Sequence, residues 1–200
     1  MDTLDTYYWE SRYEKEEIGW DLKGISPPLK QIIDRLEHTH PGDKDLKILI
    51  PGAGMGYEAR YLFEKGYTNT FVIDLAPTPL AHIARACPDF PKNQLICVDF
   101  FELEISAFDL VLEQTFFCAL NPVLREQYAE KMHHILKKGG KLEGLLFQFP
   151  LSQEGPPFGG SIEEYLDLFE PYFHIHFIET AQNSIKPRSD KELFFIFENK

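Results

Sequence analysis

Lys47-Ile48-Leu49-Ile50-Pro51-Gly52-Ala53-Gly54-Met55-Gly56-Tyr57-Glu58 joins three signals in twelve residues. Lys47 to Ile50 is a short apolar run stopped by Pro51-Gly52, the pattern of a buried strand. The glycines that follow let the backbone turn tightly and approach a ligand without a Cβ in the way. Ala59 to Lys65 then reads as a helix ended by Gly66. Strand, glycine loop and helix in that order place a nucleotide-type site at the carboxyl edge of a parallel sheet. A dinucleotide fingerprint, GxGxxG, requires its third glycine at position 57, which is Tyr57. The chain has GxGxG instead, a loop suited to a ligand without a pyrophosphate, such as S-adenosylmethionine.

Downstream, strands and helices alternate. Thr70 to Asp74, Gln94 to Val98, Phe108 to Leu112 and Lys141 to Phe147 read as strands. Helices are expected over Pro79 to Cys87, Pro122 to Lys138 and Ile162 to Phe169. The longest of these opens on a proline and closes on Lys137-Lys138-Gly139-Gly140. Phe173 to Ile178 and Leu193 to Phe197 follow without a helix between them, so they form an antiparallel hairpin at or near one edge. The expected fold is α/β, a doubly wound, mostly parallel seven-stranded sheet of Rossmann-like type. Upstream, Ser26-Pro27-Pro28 opens a helix with Leu29, Ile32, Ile33 and Leu36 at helical spacing. The rest of the first forty residues is acidic and aromatic and is expected to pack on one domain, 1–200, as an accessory segment.

The chain has 200 residues, which fits one domain that hides roughly 70% of its surface and needs no disulfide or metal staple. A net charge of −12 sets a field that repels nucleic acid and anionic membrane. No apolar run reaches the length of about 20 residues needed to span a bilayer. The start, Met1 to Glu10, lacks a basic region followed by an apolar one. A cytoplasmic monomer acting on a small molecule is expected. Cys87, Cys97 and Cys118 form no CxxC and read as three buried, reduced thiols, so no metal site is expected.

The strand ends supply the candidate site. Asp74 closes the second strand, where a carboxylate can accept both hydroxyls of a ribose; it serves NAD and S-adenosylmethionine equally, or caps a helix. Asp99-Phe100 closes the third, where the Asp can accept from an adenine amino group and the next N–H can donate to a ring nitrogen. Glu113-Gln114 closes the fourth, facing the reactive end of a ligand spread over strands one to four, or acting as a polar strand cap. His133-His134 inside a helix, His174 and His176 along a strand, and His82 have no acid or Cys at ligand spacing and read as structural or solvated.

These stretches together resemble class I S-adenosylmethionine-dependent methyltransferases, and more narrowly the thiopurine S-methyltransferase family, including plant thiol and halide methyltransferases. Four motifs carry the resemblance, from about Trp9 to Lys191. They are Trp9-Glu10 with Tyr13 and Trp20-Asp21, the loop Ile50 to Glu58, Glu113-Gln114-Thr115-Phe116-Phe117-Cys118-Ala119-Leu120, and Gly155-Pro156-Pro157-Phe158. The resemblance implies that Trp9, Tyr13 and Trp20 belong to a segment, within 1–40, that folds over the methyl donor. It places Gly52, with Gly54 and Gly56, at the methionine part, Asp74 at the ribose, Asp99 and Phe100 at the adenine, and Glu113 and Gln114 beside them. Phe117, Gln148, Phe158 and Arg188 fall on the acceptor side. The family often has Trp where this chain has Tyr13, and Cys where it has Ala53. Phe116 and Phe117 sit on a strand-to-helix connection, where lining a pocket and filling a core are both open.

Methyl transfer from a sulfonium is an in-line displacement in which the protein aligns the partners and excludes water. A thiol or halide acceptor needs no dedicated base, which agrees with a chain that offers no evident His or Cys base. The implied reaction is methyl transfer from S-adenosyl-L-methionine, leaving S-adenosyl-L-homocysteine, to a thiol, a thiopurine-like thiol or a halide. The alternatives are a small-molecule O- or N-methyltransferase with Glu113 or Asp99 as base, and a non-catalytic S-adenosylmethionine-binding protein.

Overall fold

The structure, a computed structural model, describes residues 4–151 and 155–200. Met1 to Thr3, the beginning of the expected accessory segment, and Ser152 to Glu154 lie outside the described residues. Two helices come first, α1 (Thr6–Glu14) and α2 (Pro27–Thr39), followed by β1 (Ile48–Pro51), α3 (Tyr57–Glu64), β2 (Thr70–Asp74), α4 (Pro77–Ala86) and β3 (Leu95–Cys97). Then come β4 (Phe108–Gln114), α5 (Arg125–Ile135), β5 (Leu136–Phe147), α6 (Ile162–Phe169), β6 (Phe173–Thr180) and β7 (Glu192–Asn199).

The strands form one seven-stranded sheet in the order β3-β2-β1-β4-β5-β7-β6. Pairing is parallel from β3 through β5 and antiparallel on both sides of β7. The direction of winding reverses between β1 and β4, which opens a crevice beyond their carboxyl ends. Strand residues alternate between two apolar layers, as a period of two requires. Ile48, Ile50, Val72, Leu110 and Leu112 face α2, α3 and α4, meeting Leu29, Ile33, Leu62 and Ile83. Leu49, Ile73, Val111 and Leu142 face α5 and α6, meeting Tyr128, Met132, Tyr165 and Phe169. Because β1 is covered on both faces, all four of its residues are buried, and this is why it reads as an unbroken apolar run.

Three elements differ from the sequence reading. Helix α1 went unrecognised because Thr6 to Glu14 has no aliphatic stripe and no buried residue. It is held by an Asp5 cap, whose Oδ1 accepts from Tyr8 N–H at 2.9 Å, and by aromatic edges. Helix α5 stops at Ile135, three residues before the expected Lys138, and a turn over Pro122–Leu124 precedes it. Leu136 is already extended, at φ −79° and ψ 142°, and pairs with Phe108 of β4. Gly139 has a φ of +76°, and a Cβ on Gly140 would come within 2.8 Å of Phe108 O. The two glycines therefore shape an irregular start to β5 instead of capping a helix. Of the three thiols expected to be buried, Cys97 is exposed because β3 is an edge strand, Cys87 is half-buried and Cys118 is buried.

Candidate functional site

The glycine loop links β1 to α3 in the crevice between β1 and β4. Gly52, Gly54 and Gly56 all have positive φ, at +74°, +49° and +71°, but different surroundings. A Cβ on Gly56 would sit 2.2 Å from Ile83 Cγ1, so this glycine lets α3 pack on α4. A Cβ on Gly52 would meet Phe116 Cδ2 at 3.0 Å. A Cβ on Gly54 would meet nothing within 4 Å, so the backbone there faces open space that a side chain would begin to fill.

Asp74 stands beside this space at the end of β2. Its Oδ2 accepts from Ala53 N–H and its Oδ1 from Ala76 N–H, each at 2.8 Å. Burial pushes its pKa up to about 6, against those backbone bonds. Both oxygens keep a lone pair for a further donor. Asp99 is exposed, and its Oδ1 accepts from Phe101 N–H at 2.9 Å. The Phe100 ring is core, with centroids 5.4 Å from Phe116 and 5.5 Å from Tyr128.

Glu113 and Gln114 part company because neighbouring strand residues point to opposite faces. The Glu113 carboxylate is wholly buried. Its Oε1 accepts from Phe116 N–H and Phe117 N–H at 2.9 Å, and its Oε2 accepts from the Tyr128 hydroxyl at 2.6 Å. Burial pushes its pKa up to about 7. It braces the turn after β4, and these three donors occupy it. Gln114 Oε1, by contrast, is buried without a hydrogen-bond partner among the described residues, so it is a polar atom open to a ligand.

The N-terminal segment reaches the start of α4 and the neighbourhood of Asp74. Trp20 meets Trp9 and Tyr13 edge-on, both at 5.6 Å. Glu10 of α1 accepts from the backbone and hydroxyl of Thr78 at the start of α4, where the helix dipole favours an anion. Tyr13 lies near Asp74: burial raises its pKa first, and the Asp74 charge adds to this. Further on, Ser26 N–H donates to Glu58 Oε1 at 3.3 Å.

Beside Cys118, the residues Thr115, Leu145, Leu146, Phe147 and Glu192 line a small space with room for about one water molecule. Arg188 donates through Nη1 to Glu192 Oε1 at 3.2 Å and through Nη2 to Trp20 O at 3.0 Å. Gln148 follows the end of β5, and its N–H donates to Lys191 O at 2.7 Å. Phe117 and Phe158 are core residues, 1% and 0% exposed. The Phe117 ring packs on Tyr128 and under the Arg125 guanidinium. Phe158 is fixed through its N–H to Cys118 O. Sequence reasoning missed Glu10, Thr78, Thr115 and Glu192. For Glu192 there was one available signal, an acid heading the apolar run Leu193 to Phe197.

The residues fit S-adenosylmethionine. An open glycine cradle, a carboxylate at a β2 end, an orphaned amide oxygen and three clustered rings match an amino-acid part, a ribose and a sulfonium.

Among families of known proteins, Thiopurine S-methyltransferase (TPMT) matches residues 4–199. Probable thiol methyltransferase 2 of Arabidopsis thaliana is 28% identical over 189 residues, covering 92% of this chain and 81% of its own length. Thiopurine S-methyltransferase of Photobacterium profundum is 26% identical over 184 residues, covering 84% and 83%. A solved structure of Burkholderia thailandensis 1,6-didemethyltoxoflavin-N1-methyltransferase, with bound 1,6-didemethyltoxoflavin and S-adenosylhomocysteine, superposes with a TM-score of 0.75. It is 16% identical, over 98% of this chain and 87% of the other. N-methyltransferase NodS from Bradyrhizobium japonicum WM9, with S-adenosylhomocysteine, gives a TM-score of 0.73 at 15% identity over 98% of both chains. At such identity these two likenesses bear on the fold.

Proposed function

This chain belongs to the thiopurine S-methyltransferase family and is an S-adenosylmethionine-dependent methyltransferase, and on that premise we propose that it methylates a small soft nucleophile: a thiol, a thiopurine-like thiol or a halide. The observation that carries this reading is the open space at Gly54 beside Asp74, with Tyr13 of the Trp9-Tyr13-Trp20 cluster near the Asp74 carboxylate.

The donor supplies the methyl group and its own leaving group. Gly52 to Gly54 hold its methionine part, Asp74 accepts from its ribose, and Asp99 with the Phe100 backbone takes its adenine. Gln114 Oε1 accepts from a donor group on the ligand. The rings of Trp9, Tyr13 and Trp20 lie over the positive charge and exclude water. Residues 1–40 act as a lid on a single domain, and the protein works in the cytoplasm as a monomer.

The test is calorimetry with S-adenosylhomocysteine, followed by mass spectrometry of products formed from S-adenosylmethionine with thiols and iodide. Micromolar binding and a methylated thiol or iodide are expected. Failure to bind S-adenosylhomocysteine overturns the donor site. Binding with no methylated soft acceptor overturns the acceptor class.

A further inference from the structure

Two acceptors beside the glycine loop are underused. Leu110 and Leu112 of β4 pack with Ala59 and Leu62 of α3, so Gln114, two residues beyond Leu112, lies on the same side of the sheet. The register of β1 on β4 sets Ile48 level with Leu110 and Leu49 with Val111, and its continuation sets Gly52 level with Gln114. Gln114 Oε1 is buried and has no partner among the described residues. The second acceptor is Glu58, half-buried in the first turn of α3, two residues after Gly56. Its Oε1 takes the Ser26 N–H at 3.3 Å, a long bond, and an ionised carboxylate has about four acceptor sites. Burial pushes the Glu58 pKa up, against its own N–H, the Ser26 N–H and the fields of Arg60 and Arg188. Neither arginine bonds to it among the described residues. Arg60 Nε reaches Gly56 O, and Arg188 reaches Glu192 and Trp20 O. The two acceptors together suit a donor from outside the chain that carries several N–H groups and a positive charge.

We propose that Glu58 and Gln114 Oε1 hold the primary ammonium group of the methyl donor's methionine part. This rests on the methyltransferase reading above and adds a charged partner to its donor site. In that reading the amino-acid part lies along Gly52 to Gly54, between the end of β1 and the start of α3. An ammonium group has three N–H donors. One makes a charge-assisted bond to Glu58 and another goes to Gln114 Oε1. The sulfonium, the donor's other positive centre, has no N–H to give and cannot satisfy either oxygen. A purely structural Glu58 would anchor Ser26 and favour the N-terminus of α3 through its charge. That role is indifferent to whether the ligand carries an ammonium group, which makes the two roles separable.

The experiment is calorimetry on the full chain with S-adenosylhomocysteine and with its deamino analogue, in which hydrogen replaces the ammonium group. Glu58→Gln is expected to weaken S-adenosylhomocysteine by about 30-fold and to change the analogue by less than about threefold. Gln114→Met, close in size, is expected to weaken S-adenosylhomocysteine by about fivefold with the analogue again unaffected. If Glu58→Gln weakens both ligands alike, or neither, the proposal is overturned and Glu58 is the anchor of Ser26. Equal affinity of the wild type for the two ligands overturns it as well. Should Glu58→Gln not fold, Gln114→Met decides. A loss confined to S-adenosylhomocysteine supports the proposal, and any other change, or none, overturns it. Each of these results leaves the donor site standing. Failure of the wild type to bind either ligand would instead remove that site, and the methyltransferase reading with it.

Discussion

The Tyr128 hydroxyl donates to Glu113 Oε2 at 2.6 Å in a part of the core where both residues are fully buried. The pair links α5 to the end of β4, and the other Glu113 oxygen pins the two backbone N–H groups that turn the chain toward Cys118. Burial raises the Glu113 pKa from 4.5 to about 7, so the folded state holds this proton more tightly than the unfolded one. The associated stability is fully present below about pH 4.5 and is lost as pH rises through about 7, a change on the order of 3 kcal/mol. Urea denaturation across that range is expected to show the decline, and Glu113→Gln to flatten it. A wild-type slope matched by the variant would assign the titration elsewhere, with Asp74, raised to about 6, the first group to examine.

Asp74→Ala removes charge-assisted bonds to a ribose and is expected to weaken S-adenosylhomocysteine binding by about 1.5–3 kcal/mol. In the wild type, affinity rises with pH through about 6, because the carboxylate is the accepting form. Calorimetry at several pH values checks both points, and an unchanged dissociation constant in a folded variant would reduce Asp74 to a clasp on Ala53 and Ala76.

Two glycines of one loop are expected to fail differently. Gly56→Ala puts a methyl group 2.2 Å from Ile83 Cγ1 at a positive φ and costs about 1–3 kcal/mol of stability. Gly54→Val meets open space but occupies the cradle, abolishing S-adenosylhomocysteine binding with a smaller loss of stability. Thermal melts paired with calorimetry separate the two, and full activity in Gly54→Val would remove the loop from the site.

The polar points that tie down the N-terminal segment include Glu10 on Thr78 and Arg188 on the Trp20 carbonyl. Hydrogen exchange over residues 5–22 is expected to slow on adding S-adenosylhomocysteine, with a change in indole fluorescence. Deleting residues 1–24 is expected to lower affinity by tenfold or more, about 1.4 kcal/mol. Equal protection with and without ligand, together with an active truncation, would make these rings surface packing.

The alternation of apolar runs with capped helices was legible because the inner strands of the parallel half, β1, β2 and β4, are largely buried on both faces and the helices that cover them carry an aliphatic face. Helix α1 was not, since its ordering comes from Tyr and Trp edges and a distant threonine, which have no local period. The glycine loop showed where a ligand approaches but not that Gly56 answers to Ile83, a residue 27 positions away. Glu113 and Gln114 were read as a pair although strand geometry separates them, one to the core and one toward the crevice. Phe117 and Phe158 bear motif positions of the acceptor side yet fill the core, the first because the turn that Glu113 braces folds it inward and the second because its N–H is held by Cys118 O. Glu192 escaped notice because its strand was placed without knowing which neighbours flank it.

Strand β7, last in chain order, lies between two strands made before it. During synthesis, β5 and β6 have no partner on their facing sides until Glu192 to Asn199 emerge from the ribosome. The parallel half, with its glycine loop, can assemble early, whereas the wall that carries Glu192 closes late. A chain stalled in that interval presents two unpaired edges to its neighbours, the arrangement that favours strand-to-strand association between nascent molecules. Prompt delivery of Glu192 to Asn199 thus protects the half-built sheet as well as completing it.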